Sequence, residues 1–224
     1  SVAILRLLSE QGIKPDLVAG LSLGEYSALV ASGALDFAEA VALVAKRGQY
    51  MTEAAPTGSG KMVAVMNTKA ALIEEICKQA SERGIVSPAN YNTPAQVVIG
   101  GQAEAVDYAV ELLKEAGVER LIELKVSGPF HTAILKPASE KLAKELEQVN
   151  FNSFKLELIS NTTAKVMKDT EIKELLTRQV MEPVRFYESI ETMKELGVQR
   201  FIEVGPGKVL SGFIKKIDKE ASFT

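Results

Sequence analysis

Short apolar runs alternate with stretches of helical periodicity along the first and last parts of the chain. The run 17–19 is short and apolar, as buried strands are, and the stretches on either side repeat apolar residues at helical spacing. The same alternation returns beyond position 135. We expect helices at 2–11, 25–32, 36–51, 135–149, 171–181, 185–196 and after Gly207, and strands at 17–19, 155–160 and 201–204. Because strands separated by helices favour a parallel sheet covered on both faces, these parts predict an α/β core.

The middle of the chain has a different pattern of predicted strands and helices. Strands are expected at 62–66, 86–90, 96–99 and 121–126, and helices at 69–83 and 104–116. Their order is β-α-β-β-α-β, the ferredoxin-like pattern of one four-stranded sheet backed by two helices. The segment 56–60 is rich in Pro, Gly and Ser and is typical of a linker. We therefore predict an α/β core of residues 1–58 and 127–224 that carries an inserted ferredoxin-like subdomain, 59–126.

The composition excludes several classes of function. The 224 residues are 46% apolar and 25% charged, and a net charge of −3 provides no basic field for nucleic acid. We find no run near the roughly 18 apolar residues of a membrane span. The chain has one cysteine, Cys77, and one histidine, His131, which are too few ligands for a Cys/His metal site. A single cysteine also cannot form an internal disulfide.

The start of the chain resembles neither a natural beginning nor an export signal. Ser1 stands where an initiator methionine is usual, and 2–8 is typical of an amphipathic helix rather than a signal peptide. We expect a chain truncated at its N-terminus, from a cytoplasmic protein.

Ser22 lies in a Gly-x-Ser-x-Gly run, 20–24, between a predicted strand and a predicted helix. This context is that of a nucleophile elbow, in which glycines permit a tight turn and leave the serine hydroxyl exposed. The amide of Leu23 then points at a developing oxyanion near the positive end of the helix. The alternative is a serine that serves only as a helix N-cap.

His131 follows a predicted strand in a Gly-Pro loop, where catalytic groups are common. A serine nucleophile needs a base, and this chain offers no other histidine for that role. The alternative is a surface or hydrogen-bonded histidine without catalytic function. No acidic residue is singled out to orient the imidazole, and a backbone carbonyl would also serve.

Two further motifs allow more than one interpretation. Arg47 precedes Gly48 near the end of a predicted helix, where its charge suits the helix C-terminal dipole; its planar fork could instead bind a substrate carboxylate. The run 205–208 (GPGK) lacks the spacing and the Ser/Thr of a phosphate loop and is typical of a structural turn. Lysines of the last helix give it a basic face that suits solvent, an acidic partner or a phosphorylated cofactor.

Several separated motifs together resemble one family. They are 19–29 (AGLSLGEYSAL), 46–48 (KRG), 92–99 (NTPAQVVI), 126–131 (VSGPFH) and 203–210 (EVGPGKVL). In this order they resemble the malonyl-CoA:acyl carrier protein transacylases of bacterial fatty-acid synthesis, over essentially the whole chain. The resemblance implies an α/β-hydrolase-like core with a ferredoxin-like insertion, which agrees with the element order above.

The resemblance also assigns roles. It implies that Ser22 is the nucleophile that accepts the malonyl group and that His131 is its base and later the acid for the leaving thiolate. Arg47 corresponds to the arginine that pairs with the malonyl carboxylate, and Gln179 to the residue whose main-chain carbonyl orients the histidine. The Leu23 amide is one oxyanion donor. Phe130 before the histidine resembles the malonyl-selecting version of the wider family.

Two departures accompany the resemblance. Leu21 stands where the family most often has histidine, so a second imidazole beside the nucleophile is absent. The family's opening strand with its Gly-Gln-Gly segment precedes the part matched here, and its glutamine helps to form the oxyanion hole. Loss of one such donor costs about 10²–10³ in rate.

The function expected from these residues is ping-pong transfer of malonyl from malonyl-CoA to the pantetheine thiol of acyl carrier protein. No cofactor is implied, and we expect a monomer without nucleic-acid or membrane partners. Alternatives are a serine thioesterase or esterase, the acyltransferase of a polyketide synthase, and a non-catalytic remnant that docks the carrier.

Overall fold

The computed structural model describes residues 1–223, which form helices and strands in alternation. In chain order the elements are α1 (Val2–Glu10), β1 (Leu17–Ala19), α2 (Leu23–Ala31), α3 (Phe37–Ala54), β2 (Lys61–Met66), α4 (Ala70–Ala80), β3 (Val86–Thr93), β4 (Gln96–Gly101), α5 (Ala103–Glu115), β5 (Leu121–Glu123), α6 (Lys136–Gln148), β6 (Glu157–Ile159), α7 (Ile172–Gln179), α8 (Phe186–Glu195), β7 (Arg200–Phe201), α9 (Val209–Ile217) and β8 (Ser222–Phe223). The α/β class expected from the sequence is confirmed. Among these helices, none combines the length and the apolar character that a bilayer crossing requires.

The strand pair β1 and β6 positions the two chain segments that form the candidate site. The strands are parallel, with Leu17 opposite Glu157 and Ala19 opposite Ile159. Parallel strands have their carboxyl ends at the same edge. The residues that follow them, Gly20 after β1 and Ser160 after β6, therefore leave the sheet side by side.

The helices around this pair form the largest apolar cluster. Leu29 of α2, Leu43 of α3, Leu142 of α6 and Leu176 of α7 are all buried in it. Helix α3 begins at a side-chain cap, since the Asp36 carboxylate accepts the N–H groups of the first turn. This packing fixes α2, α3 and α7, each of which contributes a side chain to the site described below.

The second sheet is antiparallel, with strand order β3-β4-β2-β5. One face of it packs against α4 and α5, where Val63 and Ile99 meet Ile73 and Ala109. The elements follow the β-α-β-β-α-β order expected from the sequence. The last strand ends at Glu123 rather than at 126, and the domain boundaries given above stay a prediction.

The strand expected at 201–204 is largely wrong. Of this segment only Phe201 belongs to a strand, β7 (Arg200–Phe201), which pairs with β8 rather than with the β1–β6 pair. The rest of the segment contacts α9 through a side chain, since the Glu203 carboxylate accepts the backbone N–H groups of Leu210 and Ser211. These N–H groups belong to the first turn of α9, where they lack an intrahelical acceptor.

Candidate active site

Ser22 occupies a strained turn between β1 and α2. Its φ of +53° and ψ of −106° lie outside the regions that non-glycine residues usually adopt. Gly20 makes the turn possible, because a Cβ on it would lie 2.0 Å from the carbonyl carbon of Gly24. Ser22 does occupy the N-cap position of α2, but its hydroxyl makes no capping hydrogen bond, so the interpretation that it serves only as a helix cap is wrong. This turn presents the hydroxyl on the outside of the elbow.

The Ser22 hydroxyl meets the ring of His131. The distance from Oγ to Nε2 is 2.7 Å, and the other ring nitrogen, Nδ1, lies 2.7 Å from the main-chain oxygen of Gln179. A carbonyl oxygen only accepts, so Nδ1 carries the proton and Nε2 accepts from Ser22. His131, 3% exposed, is therefore held in the tautomer that a base beside serine requires.

The surroundings of His131 keep its ring neutral. Burial is the largest cause and the positive charge of Arg47 the second, and together they lower its pKa to about 4. Hydrogen bonds from the ring to the backbone act in the opposite direction. At pH 7 the imidazole is consequently unprotonated and can accept a proton.

Arg47 points into the same site from α3. Its Nη2 lies 3.1 Å from Ser22 Oγ and 3.1 Å from the side-chain oxygen of Gln179, and the residue is 6% exposed. Its guanidinium carbon also lies 5.4 Å from the ring centroid of Tyr26. Because α3 runs on to Ala54, the interpretation of Arg47 as a partner of the helix C-terminal dipole is wrong.

A buried polar network supports these groups from below the elbow. Glu25, 1% exposed, accepts from the backbone N–H of Asn161 at 2.8 Å and from the side-chain amide of Gln179. That amide also donates to the main-chain oxygen of Ser22 at 3.0 Å. Burial raises the pKa of Glu25 to about 7, against the opposing effects of Asn161, Gln179 and Arg47.

The side chain of Asn161 ties the elbow to the loop after β6. Its Oδ1 accepts the N–H of Ser22 at 2.6 Å, and its Nδ2 donates to the oxygen of Gly20. The Ser22 amide is thereby occupied. The Leu23 amide is different: it stands at the first position of α2, where helix N–H groups lack an intrahelical acceptor. It is a donor free to face an oxyanion beside Ser22.

The chain as a whole is similar to known proteins. Residues 1–222 match the model of the acyl transferase domain. The chain belongs to this family. It is 48% identical over 221 residues to the malonyl CoA-acyl carrier protein transacylase of Bacillus subtilis, a match that covers 98% of the chain and 70% of that protein. The family expected from the sequence motifs is thereby confirmed.

Solved structures agree with this assignment. A crystal structure of MCAT from Streptococcus pneumoniae superposes with a TM-score of 0.98 at 68% identity, over all of this chain and 73% of that one. A type II PKS acyl-carrier protein in complex with its malonyl-transacylase gives a TM-score of 0.96 at 43% identity, over 99% of this chain and 72% of that one. The acyl transferase fold is thus shared over the length of the chain.

The structure brings together all five residues singled out from the sequence of this acyl transferase. They are Ser22, Leu23, Arg47, His131 and Gln179. Sequence reasoning missed Glu25, Asn161 and the side-chain role of Gln179. In the sequence, Glu25 resembles any acidic residue in the first turn of a helix. Asn161 resembles any polar loop residue after a strand. Nothing local distinguishes them, because their partners are distant in the chain.

Proposed function

We propose that the chain transfers a malonyl group from malonyl-CoA to the pantetheine thiol of acyl carrier protein, through an ester on Ser22. One observation carries the proposal. The Ser22 oxygen lies between a neutral imidazole at 2.7 Å and a guanidinium at 3.1 Å. A base beside the nucleophile supports acyl transfer, and a fixed positive charge beside it supports an acyl group that ends in a carboxylate.

In the first half-reaction, Ser22 Oγ attacks the thioester carbonyl of malonyl-CoA while His131 Nε2 takes the hydroxyl proton. The negative charge that develops on the carbonyl oxygen is stabilised by the Leu23 N–H. As the carbon–sulfur bond breaks, the imidazolium returns its proton to the departing coenzyme A thiolate. The carbonyl of Gln179 stabilises the imidazolium through Nδ1–H, so no carboxylate partner is needed.

In the second half-reaction, the pantetheine thiol gives its proton to His131 Nε2 and its sulfur attacks the ester carbonyl. The ester bond to Ser22 breaks, and the serine oxygen recovers the proton from the imidazolium. The free enzyme is restored with malonyl on the carrier. The two halves share one base and one oxyanion donor, in keeping with a ping-pong order.

Arg47 supplies selectivity in this proposal. An acyl chain on Ser22 carries its distal carboxylate next to the guanidinium, where paired charge-assisted hydrogen bonds form. The same contact holds the ester in one orientation while the thiol approaches. Burial of the guanidinium strengthens the interaction relative to water.

The partners follow from the same chemistry. Relatives named malonyl CoA-acyl carrier protein transacylase, and the carrier complex among the solved structures, support acyl carrier protein as acceptor. The proposed steps use groups of one chain and two substrates, which supports action as a monomer without a cofactor. Coenzyme A thioesters and carrier protein as substrates support a cytoplasmic site of action.

The product of the reaction tests the proposal. Purified protein is incubated with labelled malonyl-CoA, with and without the phosphopantetheine-bearing carrier, and Ser22→Ala serves as the control. We expect malonyl-carrier with the wild type and none with the variant. Release of free malonate at the same rate whether or not carrier is present would identify a thioesterase instead.

A further inference from the structure

Glu25 is a buried carboxylate that none of the steps above uses. It lies in the first turn of α2, and its hydrogen bonds go to Asn161 and Gln179 rather than to Ser22 Oγ or His131. Burial of a carboxylate is costly unless its oxygens are bonded. Both oxygens of Glu25 are bonded, and both partners belong to the site. Because burial of this carboxylate costs free energy, we expect its hydrogen bonds to fix the position of a neighbouring side chain.

The contact between Glu25 and Gln179 determines which way the Gln179 amide faces. Both oxygens of Glu25 act as acceptors here, one for the Asn161 N–H and the other for the NH₂ group of Gln179. The same NH₂ group also donates to the main-chain oxygen of Ser22, so this end of the amide faces Glu25 and the elbow. The amide oxygen is then left to face Arg47, whose Nη2 donates to it at 3.1 Å. If the amide were turned over, its NH₂ would face the guanidinium, donor against donor.

We propose that Glu25 is a positioning residue that fixes the Gln179 amide and through it holds the Arg47 guanidinium beside Ser22. Glu25 thereby sets the preference of the site for acyl groups that carry a carboxylate. The part of this inference that concerns selectivity rests on the proposed function. The part that concerns the orientation of Gln179 and Arg47 does not depend on it.

The substitution Glu25→Gln tests this proposal. The oxygen of the substituted side chain can still accept from Asn161, but its NH₂ group then meets the NH₂ group of Gln179, and the Gln179 amide has to turn. Rates of Ser22 acylation are measured with malonyl-CoA and with acetyl-CoA. Because a hydrogen bond to a charged group is lost at Arg47, we expect the malonyl-to-acetyl ratio to fall about tenfold or more.

A matched control is available at Glu203. Its carboxylate also accepts two backbone N–H groups, from Leu210 and Ser211, but it lies outside the network around Ser22. Glu203→Gln should leave the malonyl-to-acetyl ratio at the wild-type value. A general loss of stability would lower both acylation rates together, so the ratio separates positioning from folding.

A second variant and a crystal structure complete the test. Glu25→Asp keeps the charge but is one methylene too short to reach both partners, so it should lower the ratio in the same direction if Glu25→Gln does not fold. A folded Glu25 variant that keeps the wild-type ratio would overturn the proposal on selectivity. A Glu25→Gln crystal structure with the contacts of Arg47 to Gln179 and Ser22 unchanged would overturn the positioning role itself. Absence of any malonyl transfer by the wild type would count against the proposed function only.

Discussion

The Nδ1 atom of His131 lies 2.7 Å from the main-chain oxygen of Gln179, the last residue of α7. A carbonyl oxygen cannot titrate, and it carries no charge that would favour the imidazolium. A carboxylate in this position would raise the pKa of the ring, whereas here burial and Arg47 lower it to about 4. The base therefore stays neutral over a wide range of pH, and its orientation depends on the end of one helix.

The low pKa of His131 predicts how stability depends on pH. Between pH 6.5 and about 4 the unfolded chain binds a proton at this residue that the folded protein does not. Stability contributed by the neutral ring is therefore lost as the pH falls through this window, by up to about 3 kcal/mol. Urea unfolding of the wild type and of His131→Asn from pH 7 to 4 measures it. The wild type should lose stability relative to the variant on acidification, and a constant difference would contradict the shift.

The raised pKa of Glu25 predicts that stability changes with pH in the opposite direction. Its folded-state pKa is raised from 4.5 to about 7, so between these values the folded protein holds a proton that the unfolded chain has released. The stability of the wild type relative to Glu25→Gln should fall as the pH rises from 4.5 to 7, by up to about 3 kcal/mol. The same unfolding series measures this. A difference that grows with pH in favour of the wild type would show that the carboxylate is ionised throughout.

Gly20 and Gly24 form a matched pair of substitutions in the elbow. A Cβ on Gly20 would lie 2.0 Å from the Gly24 carbonyl carbon, whereas a Cβ on Gly24 meets nothing within 4 Å. We expect Gly20→Ala to lower the free energy of unfolding by about 3 kcal/mol or more and to abolish Ser22 acylation. Gly24→Ala, in a helix, should be neutral or gain up to about 1 kcal/mol. Thermal unfolding and an acylation assay test both, and equal effects would refute the close contact at Gly20.

Arg47 is predicted to act on the acyl carboxylate. Arg47→Ala should lower the rate of Ser22 malonylation by about 10²-fold or more, because two charge-assisted hydrogen bonds are lost, and should spare acetylation. Arg47→Lys retains the charge but not the planar guanidinium, so its rate of malonylation should lie between those of the wild type and Arg47→Ala. Single-turnover rates with malonyl-CoA and acetyl-CoA measure this. Similar losses for both donors would argue that Arg47 supports the elbow rather than the substrate.

Asn161 is predicted to hold the elbow closed. Asn161→Ala removes the acceptor of the Ser22 N–H and the donor to the Gly20 oxygen. Leaving these buried groups unpaired should cost about 2–4 kcal/mol and reduce acylation at least about tenfold. Asn152→Ala, which removes an amide that reaches only the Gly33 oxygen at an exposed position, is the control and should cost less than about 0.5 kcal/mol. If the two variants behaved alike, the elbow would not depend on Asn161.

The sequence predicts the elements of the fold well where periodicity is strong. The ferredoxin-like order of the middle segment follows from alternating strand and helix patterns, and the sheet has the pairing that this order requires. The sequence is less informative at 201–204, which resembles a strand although only Phe201 belongs to one, and where the side chain of Glu203 binds the start of α9. A hydrophobic pattern reports burial, and burial alone does not determine which backbone groups become paired.

The residues of the candidate site also differ in how well the sequence predicts them. Ser22 and His131 can be identified from the sequence because a serine in a Gly-x-Ser-x-Gly run needs a base, and the chain has one histidine to provide it. Glu25 and Asn161 cannot, because their contact joins residues 136 positions apart and depends on β1 and β6 being parallel neighbours. Arg47 shows the same limit: its helix continues to Ala54, and only the fold shows that it faces Ser22.

Mass spectrometry of the peptide that contains Ser22, after brief exposure to malonyl-CoA, tests the central claim most directly. The account predicts one added malonyl group on Ser22 in the wild type and none at this position in Ser22→Ala. In His131→Asn its formation should be slower by about 10²–10⁴. A wild-type peptide that stays unmodified, or a malonyl group carried by another residue, would contradict the account.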